Sequence, residues 1–239
     1  MTVEVKSYEF LPSLPVRPRG GASMRVAEIL REAIASNAMA PGEWIDKNAL
    51  CERLGLSRSP VSEALARLKD EGLVEIEPQS GSYVSRIRLS DVHQNLFLRR
   101  ALESEAMRHL AGSMLGGPRE ALARNLRYQK TAIEAEDAQG FHALDVEFHE
   151  ILLKALDFPR VSAVVENARF SLERVRRLLA TPRRNHITYS EHERIYQALQ
   201  LRDGQEAARA MMAHLDSVFH VLHDFAQANP QLFADLETK

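Results

Sequence analysis

Cysteine is all but missing from this 239-residue chain, in which Cys51 stands alone. A disulfide framework is therefore excluded, and a reducing compartment is implied. Long apolar runs are missing too: none approaches the roughly 18 residues that a membrane span needs. The opening MTVEVKSYEF lacks the basic-then-apolar order of a signal peptide. These features predict a soluble, cytoplasmic protein with no membrane partner. Net charge is nearly absent, with 31 basic against 33 acidic residues. Residues 1–88 taken alone hold 12 of each. Composition thus gives no electrostatic footprint for nucleic acid, and a DNA-binding argument must rest on where the charges sit. What the chain has is apolar substance: 45% hydrophobic residues against 27% charged, enough for a sizeable core.

The patterning predicts a mostly α protein in two parts. Residues 1–22, with Pro12, Pro15, Pro18, Gly20 and Gly21, read as a flexible arm. Residues 23–88 read as a winged helix-turn-helix. Ser23 is placed to cap a helix carrying Val26, Ile29, Leu30, Ala33 and Ile34. A short helix follows over about Asp46 to Leu54, with Gly55 set for a left-handed cap. Ser59-Pro60 has the form of a serine cap with proline in the first turn, opening a third helix that buries Val61, Leu65 and Leu68. Leu73–Ile76 and Tyr83–Ser85, around Pro78-Gln79-Ser80-Gly81-Ser82, make a hairpin. From residue 89 to 230 strand signals vanish. Helical patterns over 90–113, 118–138, 140–156, 161–180, 187–202 and 204–228 predict an antiparallel all-helical bundle. Residues 231–239 remain as a tail.

The third helix would point its N-terminal end at a major groove. Ser57, Arg58, Ser59 and Ser62 crowd that end. Serine hydroxyls and free helix N–H groups suit phosphate oxygens, and an arginine reaches guanine O6 and N7 in bidentate fashion. Gly81, at the hairpin tip, would let backbone approach DNA closely. A helical domain whose serines and arginine form a solvated cap is the plainer alternative. The literal string decides between them. Leu54-Gly55-Leu56-Ser57-Arg58-Ser59-Pro60-Val61-Ser62-Glu63-Ala64-Leu65, then Leu68, Gly72-Leu73-Val74 and Gly81-Ser82-Tyr83-Val84, resembles the GntR family of bacterial transcription regulators over about residues 24–86. The resemblance implies a repressor-type homodimer on a short palindromic operator, with one recognition helix per half-site. Ser62 stands where the family usually has arginine, and Lys47-Asn48 where it has a Glu-Arg pair. Lys47 is the residue placed to substitute, so the operator need not match that of relatives.

Histidine supplies the chemistry of the second part. Asp145 and His149, four apart, share a helix face. His192 and His214 follow on two later helices, each among apolar neighbours. An aspartate and three histidines on three helices could converge on one cation. That donor set suits zinc, nickel or manganese better than calcium, and an octahedral ion would leave positions open. His142 is an alternative ligand or a supporting partner; His186, His220 and His223 read as surface or lining residues. Arg174 to Leu179 is a basic stretch of the kind that forms a solvated face.

Here too a family is resembled. Ser90-Asp91-Val92 through Leu98-Arg99-Arg100-Ala101-Leu102-Glu103, Asp145 with His149, Glu191-His192, Asp203-Gly204 and His214-Leu215 look like the FCD effector-binding domain of the FadR subfamily over roughly residues 90–225. The resemblance implies that Asp145, His149, His192 and His214 hold a divalent metal ion. It also implies that Arg99 helps bind a small organic-acid or sugar-acid effector. A surface salt bridge to Glu103 is the other reading of Arg99. A metalloenzyme on a helical bundle is the alternative for the whole chain, but its signatures are missing. Neither His149-Glu150 nor His192-Glu193 continues into a second histidine, no histidine follows a glutamate by three, and no nucleotide-binding glycine loop occurs.

Overall fold

The chain is described by a computed structural model covering residues 7–12, 21–113 and 116–236. It divides into two compact units, one running to Leu89 and resumed from Asn229, the other Ser90–Ala228. Among the described residues no helix is long and apolar enough to cross a membrane.

The first unit is a winged helix-turn-helix: α1 (Ala22–Ala35), α2 (Lys47–Leu54), α3 (Arg58–Asp70), then β1 (Val74–Glu77) paired antiparallel with β2 (Gly81–Val84). The apolar spacing of α1 holds, with Val26, Ile29, Leu30, Ala33 and Ile34 all buried. Its cap is Gly21 rather than Ser23, without a side-chain hydrogen bond. Asp46 caps α2 by accepting from the Asn48 and Ala49 N–H groups, and Gly55 closes it at φ 64°. The cap of α3 is Ser57, two residues before the expected Ser59. Pro60 then falls at the third helical position, where an N–H would still lack an intrahelical acceptor. The Ser59 hydroxyl instead donates to the Glu63 carboxylate, 3.0 Å away. A third edge joins the wing, because Trp44 bridges to Tyr83 and the Ile45 N–H donates to the Ser82 carbonyl.

Both ends expected to be loose contribute to this unit. Tyr8 and Leu11 are buried in its core, and Arg53 donates to the carbonyls of Tyr8, Glu9 and Leu11. Residues 7–12 are thus pinned, unlike the flexible arm expected over 1–22; Gly21 and Ala22 already open α1, and residues 1–6 and 13–20 lie outside the described residues. Beyond Ala228, a 3₁₀ turn at Pro230–Leu232 leads to a parallel bridge between Phe233 and Ile87. The Leu89 N–H donates to the Asp235 carboxylate, and Phe233 is buried. The expected tail is therefore packed as far as it is described, because one aromatic and its backbone find partners there.

Among the described residues the second unit is six helices: α4 (Leu89–Ser113), α5 (Gly116–Glu134), α6 (Ala138–Leu156), α7 (Pro159–Leu179), α8 (Pro182–Gln200) and α9 (Gly204–Ala228). From α5 onward the connections are only two or three residues long, so each helix turns back on the one before it. Helix α8 starts five residues earlier than expected. Pro182 opens the helix instead of breaking it, and the Thr181 hydroxyl caps by accepting from the Arg184 N–H. An apolar cluster including Met107, Leu110, Leu122, Phe148, Leu152, Ile195, Met211 and Leu215 fills one part of the interior. Polar side chains fill another.

Candidate metal centre and DNA-binding face

Asp145 and His149 meet on one face of α6, as their spacing predicts, with His192 from α8 and His214 from α9 opposite. One ligand atom from each lies within 4.8 Å of all the others, and all four residues are buried. What surrounds them sets their chemistry. Each imidazole uses Nδ1 on an oxygen acceptor outside the cluster: His149 to Glu103 on α4 (2.7 Å), His192 to Gln129 on α5 (3.0 Å), and His214 to Glu191 on α8 (2.8 Å). Gln129 is itself oriented, since its amide N–H donates to Asn125, which donates to the Leu144 carbonyl and Glu147. The ring of His192 stacks on Phe148 with centroids 4.0 Å apart.

With the proton on Nδ1, a neutral imidazole carries its lone pair on Nε2. Three such lone pairs and a carboxylate then share one small space. His149 and His214 place their Nε2 atoms 3.3 Å apart, and His192 Nε2 lies 3.5 Å from Asp145 Oδ1. Neither His192 Nε2 nor Asp145 Oδ1 has a hydrogen-bond partner. Electron-rich atoms turned toward one another in a dry interior are mutually repulsive unless a cation sits between them. The residues present therefore fit a divalent ion with N and O ligands.

Burial sets the charge states around this set. It pushes the His149 imidazole down to about 4 despite the neighbouring Glu103 carboxylate. Burial and the adjoining imidazoles hold His192 and His214 well below the usual histidine range. Burial raises the Glu103 carboxyl, but Arg99 and His149 outweigh it and keep it well below the usual range. All three imidazoles are thus neutral at pH 7, the form that binds metal.

A cavity of about 70 Å³ adjoins Asp145 and His214, and Arg99, His142, Arg176 and Arg184 also line it. Arg99 does pair with Glu103, at 2.6 Å, but the pair is buried rather than on the surface. Arg99 belongs to the cavity and to the support of His149 at once. His142 lies 2.5 Å from Glu173 and is engaged there, outside the four-residue set. The basic stretch on α7 is not the solvated face expected. Arg174 is buried, and Arg176 turns inward onto the Asp145 carboxylate, because that buried charge needs a cation. His186 and His223 are exposed, and the side chain of His220 lies outside the described residues. Spacing gave no sign of Glu103, Gln129 or Arg176 as parts of the site. Glu191, beside His192, was visible only as part of a string.

On the first unit, Ser57, Arg58, Ser59 and Ser62 are all exposed at the start of α3. Ser57 makes no side-chain cap bond, which leaves its hydroxyl for other partners. Arg58 Nη2 donates to Asn48 Oδ1 at 2.9 Å, so the start of α2 steadies the arginine, with Lys47 beside it. Gly81 sits at the base of the turn opposite Glu77, not at its tip. Its φ is +124°, and a Cβ there would stand 2.8 Å from the Trp44 indole nitrogen. The missing side chain makes room for Trp44.

The model of the bacterial regulatory proteins of the gntR family matches residues 22–84, and that of the FCD domain matches residues 95–217. The HTH-type transcriptional repressor RspR of Escherichia coli (strain K12) is 32% identical over 98% of this chain and 100% of its own length. The HTH-type transcriptional regulator LutR of Bacillus subtilis (strain 168) is 28% identical over 83% of this chain and 100% of its own. In fold, the chain resembles the solved structure of E. coli McbR/YncC with a TM-score of 0.70, at 18% identity over 87% of this chain and 99% of that one. A winged helix-turn-helix followed by a six-helix effector unit defines a class of DNA-binding regulators. This chain belongs to the gntR family of bacterial regulatory proteins, as a transcriptional regulator whose helical unit is an FCD domain.

Proposed function

We propose that the protein is a cytoplasmic repressor without enzymatic activity, binding a short palindromic operator as a homodimer. A small carboxylate effector, held beside a divalent ion at Asp145, His149, His192 and His214, controls it. The single observation that carries the reading is the outward tethering of all three Nδ1 atoms, to Glu103, Gln129 and Glu191, which turns the Nε2 lone pairs inward on Asp145. Zinc, nickel and manganese all suit these donors, and zinc is the first choice. A bound ion would supply a Lewis-acid anchor for one carboxylate oxygen. Arg99, fixed by Glu103 at the cavity wall, supplies a charged donor for the same group. At the other unit, Arg58 reads a base edge, Lys47, Ser57, Ser59 and Ser62 hold phosphates, and Gly81 sets the wing through Trp44.

A switch requires the effector to bind the DNA-competent and incompetent arrangements unequally. The test is elemental analysis of protein purified without chelator, followed by operator gel shifts with and without added carboxylates. Bound metal in wild type, its loss in His192→Ala, and an operator affinity that moves with a small carboxylate are expected. Metal-free wild-type protein whose melting temperature ignores added zinc or nickel would overturn the ion site.

A further inference from the structure

Arg176 lines the cavity together with Arg99. Arg176 reaches from α7 and donates Nη2 to the Asp145 carboxylate, while Arg99 reaches from α4 and donates Nε to Glu103. In each arginine the bonded nitrogen leaves another without a partner. Arg99 Nη2 and Arg176 Nη1 are both buried, both unbonded, and both belong to side chains that line the cavity. A buried guanidinium N–H with nothing to donate to is costly, and a ligand oxygen is the remedy the cavity allows.

Charge counting sharpens this. The cations along the cavity wall are already matched: Arg99 with Glu103, Arg176 with Asp145, and Arg184 with Glu191. A divalent ion held by neutral imidazoles and the one carboxylate of Asp145 adds two positive charges with no carboxylate left over. Those two unmatched charges favour a ligand that carries two negative charges. Phe141, Leu179 and Val218 make part of the wall apolar, which suits a carbon chain between the two charges. We infer that the effector is a small dicarboxylate. One of its carboxylates sits at the ion and Arg99, and the other is received by Arg176. This rests on the proposed reading of the ion site and narrows the effector class from organic or sugar acids in general.

The experiment is calorimetric titration of the full-length, zinc-loaded protein with succinate and with butyrate, a monoanion of equal chain length, with zinc content measured on every sample. In wild type, succinate should bind about 10- to 100-fold more tightly than butyrate, the weight of one charge-assisted bidentate contact. Arg176→Gln should erase that preference by weakening succinate more than butyrate, in samples matched for zinc content. Arg176→Lys, which keeps the charge and folds under the same constraints, should retain part of the preference. Zinc and butyrate bound normally, but succinate no tighter than butyrate, would overturn this inference alone. A loss of zinc in Arg176→Gln and Arg176→Lys alike would make Arg176 a support for Asp145 and would also overturn it. No zinc and no carboxylate bound in wild type would overturn the ion site as well.

Discussion

The two units differ in the polar side chains they bury. In the first, the core of Leu30, Ile34, Leu50, Leu65 and Leu68 is apolar, and the buried polar residues described there are Ser82 and Ser85. In the second, Arg99, Glu103, Asn125, Gln129, Asp145, His149, Arg169, Arg174, His192 and His214 are all buried. The first unit keeps its polar chemistry outside, at the exposed start of α3, where side chains can change without disturbing the core. The second keeps its chemistry inside, where each polar group holds the next. Function and stability are therefore separable in one unit and coupled in the other.

The hardest test of that contrast is Glu103→Ala. It strips Arg99 and His149 of one shared partner, and breaking a buried charge pair from one side costs about 3–5 kcal/mol. Urea unfolding of the helical unit should show a loss of that size; a loss near that of a surface change would sink the coupling. Metal should act next. Zinc at a hundred times its Kd should stabilise the second unit by about 2.7 kcal/mol and leave the first unchanged, as resolved by separate circular-dichroism and Trp44 fluorescence transitions.

Acid should separate the units further. Unfolded histidine takes up a proton near pH 6.5, whereas His149 in the fold holds off until about 4, and His192 and His214 are displaced the same way. The unfolded chain then binds more protons, so stability present above pH 6.5 is lost as pH falls toward 4. Metal-free protein should show a falling urea midpoint for the second unit between pH 7 and 5. An unchanged midpoint would mean that the imidazoles take up protons alike in the folded and unfolded chains. The smallest effects belong outside. Arg58→Ala should weaken operator binding by about 1–3 kcal/mol and relax one base pair. Asn48→Ala, which frees Arg58 without removing it, should cost about 0.5–1.5 kcal/mol. Neither should move the melting temperature by more than about a degree. Gel-shift titrations beside melting curves check both.

The same contrast explains what could be read from the sequence. Helix spacing sufficed for the apolar face of α1 and for bringing Asp145 next to His149 on one face of α6. His192 and His214 were accessible through their string context. Their supports were not, because Glu103, Gln129 and Glu191 reach their histidines across 46, 63 and 23 residues, beyond any local period. Arg176 was misplaced for a related reason: periodicity takes charge as a mark of the outside, and here it points inward to Asp145. Ser57 and Ser59 flank Arg58 with equal capping chemistry, so the first turn of α3 could not be set to within two residues.

The pairing of Phe233 with Ile87 carries a consequence for how the molecule is made. Topologically, α4 to α9 form an excursion inserted into the DNA-binding unit, which is closed by residues translated after all of them. On the ribosome, α1 to α3 are synthesised first yet must wait for the whole effector unit to emerge before Phe233, the Leu232 carbonyl and the Asp235 carboxylate can complete their packing. A chain released early would carry a recognition helix on an unfinished body. The order of synthesis thus favours nascent chains reaching a finished DNA-binding unit only when they already possess the part that regulates it.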